Sequence, residues 1–196
     1  MKIIGLTGLT GAGKSTVAQK LMAYGCYHID ADKVARDVIN NSEDVKNKLK
    51  ERFGDDVINP DGTTNRPLLA ARAFADTEST NALNAIPHPA VTEEIKSIIK
   101  DMEEVGYRGV IIDAIALFES GEDALCDFTV AVVAPKEIRL DRIMKRDNIT
   151  EEKALERINA QKDESFFTKQ ADFVLWNYPP YDLNVEIRPI VAQIQI

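Results

Sequence analysis

Gly8-Leu9-Thr10-Gly11-Ala12-Gly13-Lys14-Ser15 fits the pattern G-x-x-x-x-G-K-[ST]. The residues just before it, 2–6, are a short apolar run ended by glycine, the pattern of a buried strand. After it, Val17, Ala18, Leu21 and Met22 recur at helical spacing over 15–24, and Gly25 stops the run. Strand, glycine-rich turn and helix in that order make a phosphate cradle. The glycines let backbone N–H groups turn inward around a phosphate chain, where a Cβ would intrude. The following helix adds unpaired N–H groups and the positive end of its dipole. Gly11, Ala12, Gly13, Lys14, Ser15 and Thr16 are therefore the candidate binders of the phosphates of ATP. Lys14 supplies a mobile cation for the β- and γ-phosphates, and the Ser15 hydroxyl is a candidate ligand for Mg²⁺.

Working outward, further short apolar runs lie at 26–29, 109–112, 128–134 and 173–176. Helical patterns occupy 136–147 and 151–161, the second preceded by Thr150 as N-cap. A terminal helix over 183–194 is expected to be interrupted by Pro189. Nearly all-apolar strands alternating with helices predict an α/β fold, a parallel sheet of about five strands flanked by helices. The stretch 31–108 is too long for a simple crossover. It holds a helix marked by Val45, Leu49 and Phe53 and closed by Gly54. It also holds the clearest amphipathic helix, with Val91, Ile95, Ile98, Ile99, Met102 and Val105 three and four residues apart. It reads as a helical region inserted into a single domain spanning 1–196.

Composition narrows the function. The 196 residues are 44% hydrophobic and 29% charged, a globular balance. Thirty-two acids against 24 bases leave a net charge of −8, which argues against nucleic acid or an anionic membrane as a partner. No apolar run approaches the ~20 residues of a membrane span. The residues before the loop lack the apolar stretch and cleavage site of a signal peptide, so a cytoplasmic location is expected. Cys26 and Cys126 form neither a disulfide framework nor a metal spacing and read as small core residues. No obligate protein partner is evident.

No aspartate stands three residues before a glycine and no Asn-Lys-x-Asp occurs, so the motifs of GTP switches are missing. A small-molecule kinase is the favoured remainder. It needs a group to orient or deprotonate the acceptor hydroxyl. Asp30 and Asp32 lie at the carboxyl end of the second strand, where ligands bind in open α/β sheets. Asp32 is the candidate general base; the competing reading is a helix cap near Ala31. Asp113 follows the third strand, where P-loop proteins often place a carboxylate near Mg²⁺. Arg139, Arg142 and Arg146 share one helix face, which on its own reads as solvated.

With these residues in hand, the chain resembles the dephospho-coenzyme A kinase family. The likeness rests on the loop followed by Ile29-Asp30-Ala31-Asp32, then Asn65-Arg66-Pro67-Leu68, Leu83-Asn84-Ala85-Ile86-Pro87-His88-Pro89 and Asp113-Ala114-Ile115-Ala116-Leu117-Phe118-Glu119. It continues through Arg139, Arg142, Arg146-Asp147, Arg157, Gln161, Ala171-Asp172 and Asn177. Ile115-Ala116 stand where the family has Pro-Leu, and Leu9-Thr10 where Gly-Ile is usual. The resemblance implies transfer of the ATP γ-phosphate to the ribose 3′-hydroxyl of dephospho-coenzyme A, with a helical substrate region and a lid at about 136–165. It implies that Arg142 closes on the transferring phosphoryl and that Arg146 binds the nucleotide; Arg139, read from its helix face alone, is expected to pair with surface acids. It places His88 and Arg66 in the acceptor pocket and Asn177 near the adenine, although a turn-forming asparagine explains Asn177 equally well. Pro87 and Pro89 leave little room for helix around His88. A nucleotide or nucleoside kinase on the same core is the enzyme alternative. A nucleotide-binding regulator without turnover is the other.

Overall fold

A computed structural model describes residues 1–194. Val110, Ile111 and Ile112 are all fully inaccessible, as are Val130 to Val133, so these strands have no solvent face. A strand buried on both sides needs helices over both faces of its sheet. The chain opens with β1 (Lys2–Gly8), α1 (Lys14–Met22) and β2 (Cys26–Asp30). Five helices follow: α2 (Ala31–Asn41), α3 (Glu43–Phe53), α4 (Arg66–Ala73), α5 (Thr77–Ala85) and α6 (His88–Val105). Then come β3 (Gly109–Asp113), β4 (Phe128–Val133), α7 (Lys136–Asp147), α8 (Glu151–Asn159) and α9 (Glu164–Thr168). The last elements are β5 (Phe173–Trp176), α10 (Leu183–Glu186) and α11 (Arg188–Ile194).

The five strands form one parallel sheet in the order β2-β3-β1-β4-β5. Leu6 pairs in register with Asp113, and Asp30 with Asp113 on the other side, so the carboxyl ends of β1, β2 and β3 share one edge. Ile4, Leu6, Val17, Leu21, Ile111, Val130, Leu175 and Ile190 belong to one buried cluster, which joins the sheet to α1 and α11. Asp172 Oδ2 accepts from both the backbone N–H and the hydroxyl of Thr129, which ties the entry of β5 to β4.

The chain divides into two compact units, one made of Met1–Asp30 with the chain from Asp101 on, the other of Ala31–Lys100. The second unit has its own core of Val45, Leu49, Phe53, Val57, Leu69 and Ala73. Its helices carry polar caps: Ser42 Oγ accepts from Val45 N, Asn65 Oδ1 from Leu68 N and Asp76 Oδ1 from Ser79 N.

Two expectations about proline need correction. His88 is the first residue of α6, with Pro89 second, so the Pro-His-Pro segment opens a helix rather than excluding one. Likewise the break near the carboxyl end falls at Ile187, and Pro189 is the second residue of α11. In a first turn the missing proline N–H has no intrahelical acceptor to lose, and its fixed φ suits the helix. The helix α9 was not foreseen; its Phe167 is buried in the main core.

Where β1 gives way to the loop, Gly8 has φ 140° and lies against β4. A Cβ there would stand 2.2 Å from the Val132 carbonyl oxygen. Because the obstacle is backbone, Gly8→Ala should lose roughly 2–4 kcal/mol in urea unfolding. An unchanged midpoint would show that β1 and β4 part there at no cost.

Candidate functional site

The turn between β1 and α1 is built on left-handed glycines, Gly11 at φ 77° and Gly13 at φ 96°. A Cβ on Gly11 would stand 2.7 Å from the Arg139 carbonyl oxygen, and one on Gly13 2.1 Å from Asn177 Nδ2. The close neighbours explain the glycines, and they also hold the loop's carbonyls. Arg142 Nη1 donates to the Gly11 oxygen at 3.3 Å and the Ala12 oxygen at 3.2 Å. Asn177 Nδ2 donates to the same Ala12 oxygen at 2.8 Å, and Arg142 Nη2 to the Asn177 carbonyl at 2.8 Å. Arg139 Nη1 reaches the Thr10 oxygen at 3.5 Å, and Thr10 N–H donates to Gln161 Oε1 at 2.7 Å. In a trans peptide the C=O and the next N–H point in opposite directions. Carbonyls turned toward α7 and the turn after β5 therefore turn the Gly11 and Gly13 N–H groups the other way. Lys14 and Ser15 begin α1, so their N–H groups have no carbonyl one turn back.

Lys14 Nζ lies 3.0 Å from Asp113 Oδ1, and His28 Nε2 lies 3.1 Å from Asp113 Oδ2. The side chains are 17%, 15% and 29% exposed for Lys14, Asp113 and His28. Burial pushes the Asp113 carboxyl up, but the hydrogen bond from His28 and the charge of Lys14 outweigh it, leaving it below the usual carboxylate range. Lys14 thus waits beside the loop against an ionised partner. One carboxylate and the Ser15 hydroxyl fit Mg²⁺, which is held by few protein oxygens and keeps water and substrate phosphates for the rest. Among the described residues no group of three or more His, Cys, Asp or Glu could hold a metal unaided.

The remaining candidates sit as follows. Arg142 faces loop carbonyls, whereas the resemblance had put it on the transferring phosphoryl. Asn177 spends its side-chain amide on Ala12. Arg146 is exposed and forms a fork with Asp147, through Nε at 2.8 Å and Nη2 at 2.9 Å. Asp147 also takes Arg157, and these contacts hold its carboxyl below the usual range, the hydrogen bond from Arg146 most of all. Arg139 does not pair with surface acids: it is buried, and its Nε has no hydrogen-bond partner among the described residues. Asp32 is in the first turn of α2, Arg66 opens α4 and His88 opens α6, all within the helical unit. Asp30 ends β2.

His28 and Gln161 are the contributors that sequence reasoning passed over. The available signal for His28 was a lone imidazole in an otherwise apolar strand, two residues before Asp30. Gln161 had only its place in the family's order.

Residues 2–180 match the profile of a family described as dephospho-CoA kinase. A dephospho-CoA kinase of Corynebacterium efficiens is 38% identical over 192 residues, which are 97% of this chain and 96% of that one. A crystal structure from Thermus thermophilus agrees with a TM-score of 0.79 at 33% identity, over 98% of this chain and 97% of that one. A dephospho-CoA kinase from Campylobacter jejuni agrees at 0.68 with 25% identity, over 98% and 96%.

Asp113 carries a pH signature. A carboxyl held low in the folded state adds stability that is complete above its ordinary value of 3.8 and lost as pH falls through the lowered one. Asp113→Asn should be less stable than the parent at neutral pH, and the gap should close as pH falls below that ordinary value. Paired urea titrations across that range test it. A gap that stays constant would mean that the charge of Asp113 contributes nothing to the fold.

Proposed function

Since this chain belongs to the dephospho-CoA kinase family, it catalyses ATP-dependent phosphorylation of dephospho-CoA, and we propose how its residues divide that work. The observation that carries the proposal is the outward hold on the loop's carbonyls, which leaves inward N–H groups and the Lys14 ammonium beside one another. Gly11, Gly13, Lys14 and Ser15 bind the ATP phosphates with main-chain N–H groups and the lysine cation, whereas the N–H groups of Ala12 and Thr16 donate to the Leu9 and Gly13 carbonyls. Lys14 exchanges Asp113 for the β- and γ-phosphate oxygens, where negative charge is greatest. Ser15 and Asp113 would hold Mg²⁺, which when bound neutralises charge on those oxygens.

Asp32 orients the acceptor 3′-hydroxyl, and its carboxylate takes the hydroxyl proton as the new P–O bond forms. Phosphoryl transfer is chiefly a matter of positioning and electrostatics, so orientation carries as much weight as proton removal. Arg66 and His88 bind the acceptor, the first through charge and the second through its imidazole. Arg142 and Asn177 act through the loop, keeping its amides aimed. Arg146 serves the nucleotide by exchanging Asp147 for a phosphate oxygen, a swap that its exposed position permits. The net charge of −8 disfavours nucleic acid as a partner. A cytoplasmic location is in keeping with this chemistry, and no helix among the described residues is long and apolar enough to cross a membrane.

ADP release coupled to a dehydrogenase assay, with dephospho-CoA beside other ribose acceptors, tests the assignment. Lys14→Ala should remain folded, with a modest loss of stability because Asp113 loses its ion-pair partner, and lose at least ~100-fold in kcat, the order seen for a preorganised charge-stabilising group. Near-normal turnover would refute the loop's role.

Asp32→Asn should bind ATP normally and fall by ~10²–10⁴-fold in transfer to dephospho-CoA. Asp32 lies in the first turn of α2 and not at its cap, so a purely structural role there would cost at most ~1 kcal/mol of charge–dipole stability and leave the rate unchanged. A rate within a factor of a few of the parent would move suspicion to Asp30.

A further inference from the structure

The loop, its lysine and Asp113 are accounted for by the phosphate chemistry above, but His28 is not. Its position is set by the sheet. His28 is in register with Ile111 on the neighbouring strand, and Asp113 is two residues further along that strand. Residues two apart on a strand share a face, so His28 and Asp113 lie on the same side as diagonal neighbours. Only a long side chain spans a diagonal, and the imidazole does so, with Nε2 3.1 Å from Asp113 Oδ2. An ionised Asp113 can only accept, so Nε2 carries the proton and donates.

The contact completes a chain of three groups. One carboxylate oxygen takes the Lys14 ammonium at 3.0 Å, and the other takes the His28 ring. The last torsion of an aspartate is broad and two-fold. Held by one oxygen, the carboxylate plane can swing and carry a lysine on a flexible stem with it. Held at both oxygens, the plane is fixed, and so is the direction in which Lys14 is offered to the loop. We infer that His28 is a positioning residue for phosphoryl transfer: it pins the second oxygen of Asp113 and thereby holds Lys14 at the phosphate cradle. The inference rests on the reading of Lys14 given above. It assigns His28 no contact with either substrate and no proton-transfer step.

The test uses two substitutions and two readouts on the full-length protein. His28→Leu keeps bulk in the strand but cannot donate. His28→Gln keeps an amide donor at a similar reach. For His28→Leu, kcat/KM for ATP should fall roughly tenfold while the KM for dephospho-CoA stays within about twofold, because Lys14 is offered to the phosphates from Asp113 and leaves it once they are bound. In nucleotide-free protein, acylation of Lys14 by an amine-reactive ester, followed by peptide mass spectrometry, should run severalfold faster. His28→Gln should restore both readouts most of the way. Parent-like kcat/KM for ATP and parent-like labelling in the leucine variant would overturn the inference. So would a glutamine variant as impaired as the leucine one, since that would make the ring a packing element. The labelling readout needs no turnover, so failure of the phosphoryl-transfer reading itself, seen as an inactive parent, is separable from failure of the positioning role.

Discussion

The direction in which the carbonyls of Thr10, Gly11 and Ala12 point governs what this chain can bind. Each is drawn outward by a donor on another element, Arg139 and Arg142 on α7 and Asn177 just past β5. Peptide planarity does the rest, because an outward C=O compels the following N–H inward. The Ala12 oxygen takes two donors at once, which uses both its lone pairs and leaves that plane little freedom. The glycines are the other half of the same constraint. They let α7 and Asn177 come close enough to do the holding, since a Cβ on Gly11 or Gly13 would occupy the space of the groups that grip the loop. The phosphate cradle is thus a product of the whole sheet-and-helix unit. An eight-residue motif could not keep this shape alone.

That dependence explains which parts were legible in the sequence. Strands such as Gly109–Asp113 and Phe128–Val133 were readable because burial on both faces demands an unbroken apolar run, a signal carried by composition alone. The loop was readable because its left-handed residues admit few alternatives to glycine. Arg139, Arg142 and Arg146 show the limit. Their spacing puts them on one helix face, and local periodicity says nothing more. One guanidinium is buried behind the loop, one grips carbonyls and one lies exposed on Asp147. What separates them is how near each approaches the end of β1, a property of packing between segments far apart in sequence. His28 escaped notice for the same reason: its partner is defined by sheet register, which no local pattern encodes. The Pro-His-Pro segment misled for a different one, since proline disrupts a helix everywhere except its first turn.

Electrostatics links the resting site to the working one. Lys14 and Asp113 are both largely shielded from water, where a lone charge would be costly. Pairing them keeps the ammonium local until a phosphate competes for it. The cost of separating the pair is offset by an anion carrying more charge than one carboxylate. His28 adds a second donor to the same carboxylate, which favours the ionised form of Asp113 when the lysine turns away.

The strand order also has a consequence for how the molecule comes into being. β1 sits in the middle of the sheet, yet both its neighbours, β3 and β4, come after the helical unit in the chain. On a ribosome the first strand emerges with nothing to pair with, and it stays unpartnered until residue 109 and beyond are made. At about 5–20 residues per second that is a delay of several seconds for an apolar edge. Closing so long a loop costs entropy that grows only as the logarithm of its length. An intervening unit with its own core can shorten the effective loop by condensing first. The helical unit is in this sense a spacer with a core of its own, and its contacts are local ones that need no sheet to form.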